Sequence, residues 1–352
     1  MKYMKKMLLL SFVNAWIIVN SWAQIGGDHV YKFLNFPSSA RLASLGDHLI
    51  SVKDADVSLA FANPALLNKK MHQQLNFNHS FLLDGIQHGY AGYGHHLDNA
   101  AISLHAGFQY FSYGDFTSAD EFGNLLGEFK ATENAFVLGA GKTLNDRLSL
   151  GANMKFISSQ LESYNSIGIS GDLGIFYEDT LRNIGLSLLF RNIGTLLSTY
   201  AEIKESLPYE AQLGLSKRLK YLPFQFSVLY RYLNRWNILY DDPNNQENTF
   251  FISGFDDTPQ SNVQLTNFFR HFVFNGEFFL GKAETLRLRF GYNVLRGQEL
   301  KVANLRSLAG FSFGIGLKVN RFRIDYGQGV FHLAGSMNYF SLSTNLQSFK
   351  SF

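Results

Sequence analysis

FRHFVFNGEFFL, residues 269–280, and SLAGFSFGIGLKV, residues 307–319, set apolar residues in alternation with small or polar ones. Successive side chains of a strand point to opposite faces, so each stretch reads as a strand with one apolar and one small or polar face. Outward from these two, about fourteen such segments follow one another, each near the ~9–11 residues that a tilted membrane-crossing strand requires. They centre near Phe77, Gly92, Leu104, Leu138, Asn153, Ser170, Leu188, Leu213, Ser227, Phe274, Arg289, Gly314, Ile324 and Ser341. Turn residues at Leu97-Asp98-Asn99, Leu144-Asn145-Asp146-Arg147 and Val319-Asn320-Arg321 join neighbours as tight hairpins. An even, antiparallel set closes without leaving an unpaired edge in lipid. The expected fold is all-β: an outer-membrane antiparallel β-barrel over residues 71–352, of about 14 strands.

The two ends of the chain fit that location. Residues 1–23 carry a basic start (Lys2, Lys5, Lys6), an apolar run over residues 7–19 and the small residues Ser21 and Ala23, the pattern of a secretory signal peptide. Removing those three lysines leaves 28 basic against 28 acidic groups, a neutral chain that gives nucleic acid no electrostatic footprint. Cysteine is absent, which excludes disulfides, thiolate metal sites and a lipidated cysteine. Aromatics reach 15%, with 34 Phe, while charged residues stay at 17% against about 25% in soluble domains. A lipid-facing wall with interfacial girdles needs that composition. At the far end, residues 337–346 alternate and are followed by Phe349 and Phe352. Phe340 and Phe352 are read as the aromatic signal for barrel insertion. No sorting domain follows, which suits a part of a secretion apparatus better than its cargo.

Residues 24–70 do not alternate, and they read as a plug for the barrel mouth or lumen. Short helices are expected over residues 38–45 and 56–67, the second interrupted at Asn63-Pro64, where Pro lacks a donor and restrains the residue before it. Three longer connections, residues 113–127, 194–207 and 239–267, are expected as exterior loops. The last holds Asp241, Asp242, Phe250, Phe251, Phe255, Asp256 and Asp257, the candidate partner-binding loop. Its phenylalanines suit an interface core, whereas Trp236 and Tyr240 suit the membrane girdle.

Several stretches imitate chemistry that their context denies. Gly139-Ala140-Gly141-Lys142-Thr143 lacks the first glycine of a phosphate-binding loop, since Phe136 stands there, and a hairpin rather than a helix follows. Histidines 79, 88, 95, 96 and 105 fall on several strands and partly on opposite faces, without the converging set a zinc centre needs. The loop aspartates lack the Gly and Glu spacing of a calcium loop. No nucleophile sits on a strand-to-helix turn. No catalytic residue, cofactor or metal is assigned.

The plug holds the most specific motif. Residues 31–46, YKFLNFPSSARLASLG, then Asp54-Ala55-Asp56-Val57 and Phe61-Ala62-Asn63-Pro64-Ala65-Leu66-Leu67, resemble the N-terminal segment of the PorV and PorQ group of FadL-like barrels, found in the type IX secretion system of Bacteroidetes. The motif residues map to Ala40, Arg41, Gly46, Asn63, Pro64 and Ala65, with Asp47 where a second Gly is common. Arg41 with Asp54 or Asp56 is a candidate ion pair anchoring the plug. The resemblance implies a non-enzymatic anchor in a Bacteroidetes-type outer membrane, surrounded by its lipid, which holds a PorZ-like surface protein near a PorU-like sortase and a PorV-like barrel. A PorV-like cargo shuttle differs from it only in the protein bound. The alternative that the same superfamily implies is a transporter of a hydrophobic small molecule, with a movable plug and a lateral opening. The Gly-rich strands at residues 89–94 and 310–316 are candidate places for such an opening.

Overall fold

The computed structural model describes residues 29–122, 124–200, 205–238, 263–300, 308–332 and 335–349. Fourteen antiparallel strands run β1 Gln74–Phe81, β2 Gln87–Leu97, β3 Ile102–Ala119, β4 Leu125–Thr143, β5 Leu148–Leu161, β6 Tyr164–Asp179 and β7 Ile184–Ser198. The second half continues with β8 Glu210–Arg218, β9 Phe224–Tyr230, β10 Phe272–Leu280, β11 Leu286–Asn293, β12 Phe311–Val319, β13 Phe322–His332 and β14 Gly335–Asn345. Each pairs with its sequence neighbours, and β1 pairs with β14 from Gln74↔Asn345 to Phe81↔Asn338, closing the barrel. All fourteen segments anticipated from alternation lie in these strands.

The alternation is the wall itself. On β1, Asn76, Asn78 and Ser80 are buried toward the lumen while Phe77 and Phe81 stand outward, each 51% exposed. Outward rings such as Phe108, Phe136, Phe156, Phe290 and Phe313 continue this apolar surface around the barrel. All connections at one end are short, whereas the long connections over residues 199–209, 231–271 and 294–310 all lie at the other. By the rule for such barrels these are the periplasmic and outer ends.

The expected loops are partly ordered elements. Residues 113–122 and 124–127 belong to a hairpin extension in which β3 and β4 stay paired from Asp115↔Lys130 to Ala119↔Leu125. Stacked Phe116 and Phe129 rings, 5.2 Å apart, and the Asp115–Lys130 ion pair at 3.3 Å support it. Gly114, at φ +84°, sits at a bulge between Ser112 and Asp115. The 194–207 stretch begins as strand, because β7 runs on to Ser198. The 239–267 connection ends in helix α3, Val263–Arg270.

Inside the barrel lie helix α1, Ala40–Ser44, helix α2, Ser58–Ala62, and a 3-10 turn at Pro64–Leu66. The helices are shorter than expected. Ser39 caps α1 by accepting from the Leu42 amide at 3.3 Å, and Asn63 ends α2 with extended backbone. Helix α4, Val294–Glu299, follows β11 at the outer end. The strand with Phe340 stops at Asn345, short of the terminal Phe that sequence reading attached to it. The Asn345 side chain accepts from the Gln347 amide at 2.8 Å and turns the chain away.

Candidate functional site

Residues 29–71 thread the lumen from the outer end toward the periplasmic end. Val30 donates to the Ser206 carbonyl in the outer connection between β7 and β8, at 3.1 Å. Lys53 reaches Thr143 and Ser149 beside the short β4–β5 turn, and Lys69 pairs with Asp98 in the β2–β3 turn. The segment is seated by close backbone approach as well as by side chains. A Cβ on Gly151 would stand 2.2 Å from the Pro64 carbonyl carbon, one on Gly174 2.1 Å from Asn63 Oδ1, and one on Gly327 2.3 Å from the Ala40 oxygen. Strand glycines here make room for another backbone. Gly141, in the stretch that imitates a phosphate loop, has the same role against Pro64 and Leu67.

The motif residues converge on two anchor points. Ala40 donates its amide to Ser341 Oγ at 2.8 Å, which sets Arg41 in the middle of the lumen. Arg41 is 2% exposed, and its guanidinium reaches Asp54 at 2.7 Å, Asp56 at 3.3 Å and Glu277 at 2.8 and 3.1 Å. Glu277 also accepts from Arg289 at 2.7 Å, which in turn reaches Asp325 at 2.6 Å. Burial opposes charge on Asp54, but Arg41 and Arg287 outweigh it and hold its carboxyl below the usual carboxylate range. The planar fork of Arg is what allows one side chain to serve three carboxylates.

Asn63 makes the second anchor. Its Oδ1 accepts from the Ala65 amide at 3.0 Å, while Nδ2 donates to the Ile50 carbonyl at 2.8 Å and Ser187 Oγ at 2.6 Å. Pro64, at the first position of the 3-10 turn, needs no donor there. Gly46 and Asp47 both adopt left-handed backbone, at φ +76° and +71°. Asp is among the residues that tolerate this. The Asp47 carboxylate pairs with Arg296 on α4, so the departure from Gly ties the plug to the outer mouth.

Two recesses flank the plug's outer half. At the mouth, a cavity of 320 Å³ is lined by residues including Lys32, His48, Arg231, Tyr232, Arg296 and Phe331. The second lies in the wall. The β7–β8 ladder stops at Arg191↔Glu210, so that among the described residues 192–198 have no ladder pairing on the β8 side. A recess of 540 Å³ opens there, lined by residues 192–195, 205–207 and Tyr209. Directly inside, Phe111, Ala135, Ile157, Leu196 and Leu207 form an apolar lumen patch covered by Tyr31, Phe33 and Leu34.

The sequence reading missed the barrel's side of this arrangement. Glu277, Arg289 and Asp325 were not singled out, although charged residues in a barrel strand are placed toward the lumen by the same alternation. Asp241, Asp242, Phe250, Phe251, Phe255, Asp256, Asp257 and Phe352 lie outside the described residues. Phe340 faces outward at 48% exposure, against Tyr326 at 5.1 Å. Among the described residues no cluster of acids and histidines is arranged to hold a metal ion.

A closed fourteen-stranded antiparallel barrel with an apolar exterior and an occupied lumen is an outer-membrane β-barrel. A solved structure of the TodX monoaromatic hydrocarbon channel, as its deltaS2 mutant, is similar over 88% of this chain and 97% of that one, at 13% identity and a TM-score of 0.51. The Pseudomonas putida toluene transporter TodX (12% identity, TM-score 0.48) covers 88% of this chain and 96% of its own. A Pseudomonas aeruginosa FadL homologue (9%, TM-score 0.49) covers 88% and 98%. No protein-family model matches the chain. No curated protein matches it in sequence.

Proposed function

We propose that this chain passes a small hydrophobic molecule from the outer mouth into the bilayer through the break between β7 and β8. The observation that carries the reading is the coincidence of three features: an interrupted ladder, a recess, and an apolar lumen patch that shares Leu207 with that recess. Unpaired backbone beside lipid is costly, so a wall break needs a compensating use. An apolar solute gains about 0.8 kcal/mol per buried CH₂ on leaving water, and it needs no axial water channel. The test is uptake of radiolabelled toluene by whole cells with a lipopolysaccharide outer leaflet. Cells with the parent chain should exceed cells without it, and Thr195→Trp, which fills the recess, should abolish the difference. Equal uptake by parent and Thr195→Trp would refute the wall route.

A second reading is the non-enzymatic anchor of a type IX attachment complex, in a Bacteroidetes-type outer membrane, holding a PorZ-like surface protein near a PorU-like sortase and a PorV-like barrel. The exposed apolar residues of α3 at the outer mouth favour it: Leu265 at 55% and Phe269 at 50% exposure. Detergent pull-down of the tagged chain should then recover those partners, and deletion of residues 241–262 should lose them. Recovery of the barrel alone would exclude the anchor.

A further inference from the structure

The wall break begins at a built feature. Two residues of β7, Arg191 and Asn192, stand opposite the single Asp172 of β6, between the pairs Gly171↔Ile193 and Leu173↔Phe190. This is a β-bulge, which bends a strand and ends its pairing locally. Asn192 is wholly buried and takes left-handed backbone at φ +56°. Its amide donates to Asp172 Oδ1 at 2.9 Å, and the same oxygen accepts from Lys155 Nζ at 2.8 Å. Lys155 and Asp172 are both inaccessible to solvent, and Lys155 also donates to Asn192 Oδ1 at 2.8 Å.

The Asn192 Nδ2 points the other way. Nδ2 donates at 3.1 Å to Asn35 Oδ1 on the plug and at 3.1 Å to the Pro208 carbonyl, on the connection that borders the recess. Asp172 has a further plug link, since Asn153 Nδ2 donates both to Asp172 Oδ2 at 3.2 Å and to the Ala60 carbonyl at 3.0 Å. One buried side chain therefore touches the bulge, the plug start and the far side of the break.

We propose that Asn192 is a positioning residue that couples the plug to the wall: it fixes the break only while residues 30–36 are seated, so that displacement of that segment loosens both together. The plug start would thus be the movable cover of the apolar patch. The proposal rests on the wall-route reading for its use, but the coupling is measured separately.

The chain has no native cysteine, so spin labels on Lys32→Cys and Thr195→Cys report the plug-to-wall distance in the full-length protein in lipid. Asn192→Gly keeps the left-handed backbone while removing every side-chain tie, which separates coupling from strain. Asn35→Ala removes the plug partner alone. Asn275→Ala is the control, because Asn275 holds the plug elsewhere, through the Leu45 and His48 carbonyls. The parent should give one narrow distance distribution, lost in Asn192→Gly and Asn35→Ala and retained in Asn275→Ala, with barrel insertion intact in all. A narrow distribution in Asn192→Gly, or the same broadening in Asn275→Ala, would overturn the coupling. Broadening with toluene uptake unchanged by Thr195→Trp would keep the coupling and remove only the wall route.

Discussion

Replacing Arg41 by Ala should open the plug while leaving the barrel inserted. The substitution leaves Glu277, Asp54 and Asp56 without their shared cation in a site where Arg41 is 2% exposed. Removing one partner of a buried pair costs about 3–5 kcal/mol, because the partner charge stays buried. Here the lower end applies. Glu277 keeps Arg289 at 2.7 Å, and Arg287 stands 4.0 Å from Asp54 and 3.9 Å from Glu277. A cost of about 3 kcal/mol raises the open population roughly 150-fold. Ala60→Cys, at a fully buried position, reports that opening through its rate of reaction with a water-soluble maleimide, free of background in a cysteine-less chain. Arg41→Lys should recover only part of the loss, since an ammonium lacks the fork that spans three carboxylates. A labelling rate unchanged by Arg41→Ala would refute the argument that this ion cluster seats the plug.

Other expectations follow from the same geometry. Asp54 has a lowered folded pKa, so its contribution is present above the ordinary carboxylate value near 4 and is lost as pH falls through the folded one. Spin-label mobility at Ala60→Cys should rise in acid below that value, and not on going from neutral to pH 5. Gly151→Val should prevent seating, since even a Cβ meets Pro64 at 2.2 Å. Overpacking of this kind costs about 1–3 kcal/mol or more, read as faster labelling at position 60. Asn63→Ala removes a cap and two buried bonds, and about 1–3 kcal/mol of plug stability should go with them, measurable by the same reaction.

The strands were legible because a period of two survives wherever one face meets lipid and the other a packed lumen. Phe77 and Phe81 against Asn76, Asn78 and Ser80 show it directly. The plug motif was legible as a motif, and Arg41 could be paired with Asp54 and Asp56, which lie 13 and 15 residues away. Glu277 lies 236 residues from Arg41, and only the closed barrel brings them together. The bulge at Asn192 carries no Gly or Pro to announce it. Its Asn192 contacts a buried pair, Lys155 on β5 and Asp172 on β6, which period alone does not reveal. Helix α4 did leave a trace, since Asn293 accepts from the Arg296 amide at 3.2 Å as an N-cap three residues ahead. The hairpin extension of β3 and β4 was expected as a loop, because the cross-strand pair of Phe116 and Phe129 is visible only once the register is known.

The central claim is that the inner apolar patch communicates with the bilayer through the break between β7 and β8. A molecule entering at the mouth can then leave there, and a lipid-dissolved probe can reach the patch by the same path. Photolabelling of the intact protein in membranes with an aliphatic diazirine, followed by peptide mapping, tests it most directly. The account predicts adducts on the lumen-facing Ile157 and Leu196 as well as on the lipid-facing wall, with the lumen adducts lost in Thr195→Trp. Adducts confined to outward residues such as Phe108, Phe156 and Phe290 would contradict it.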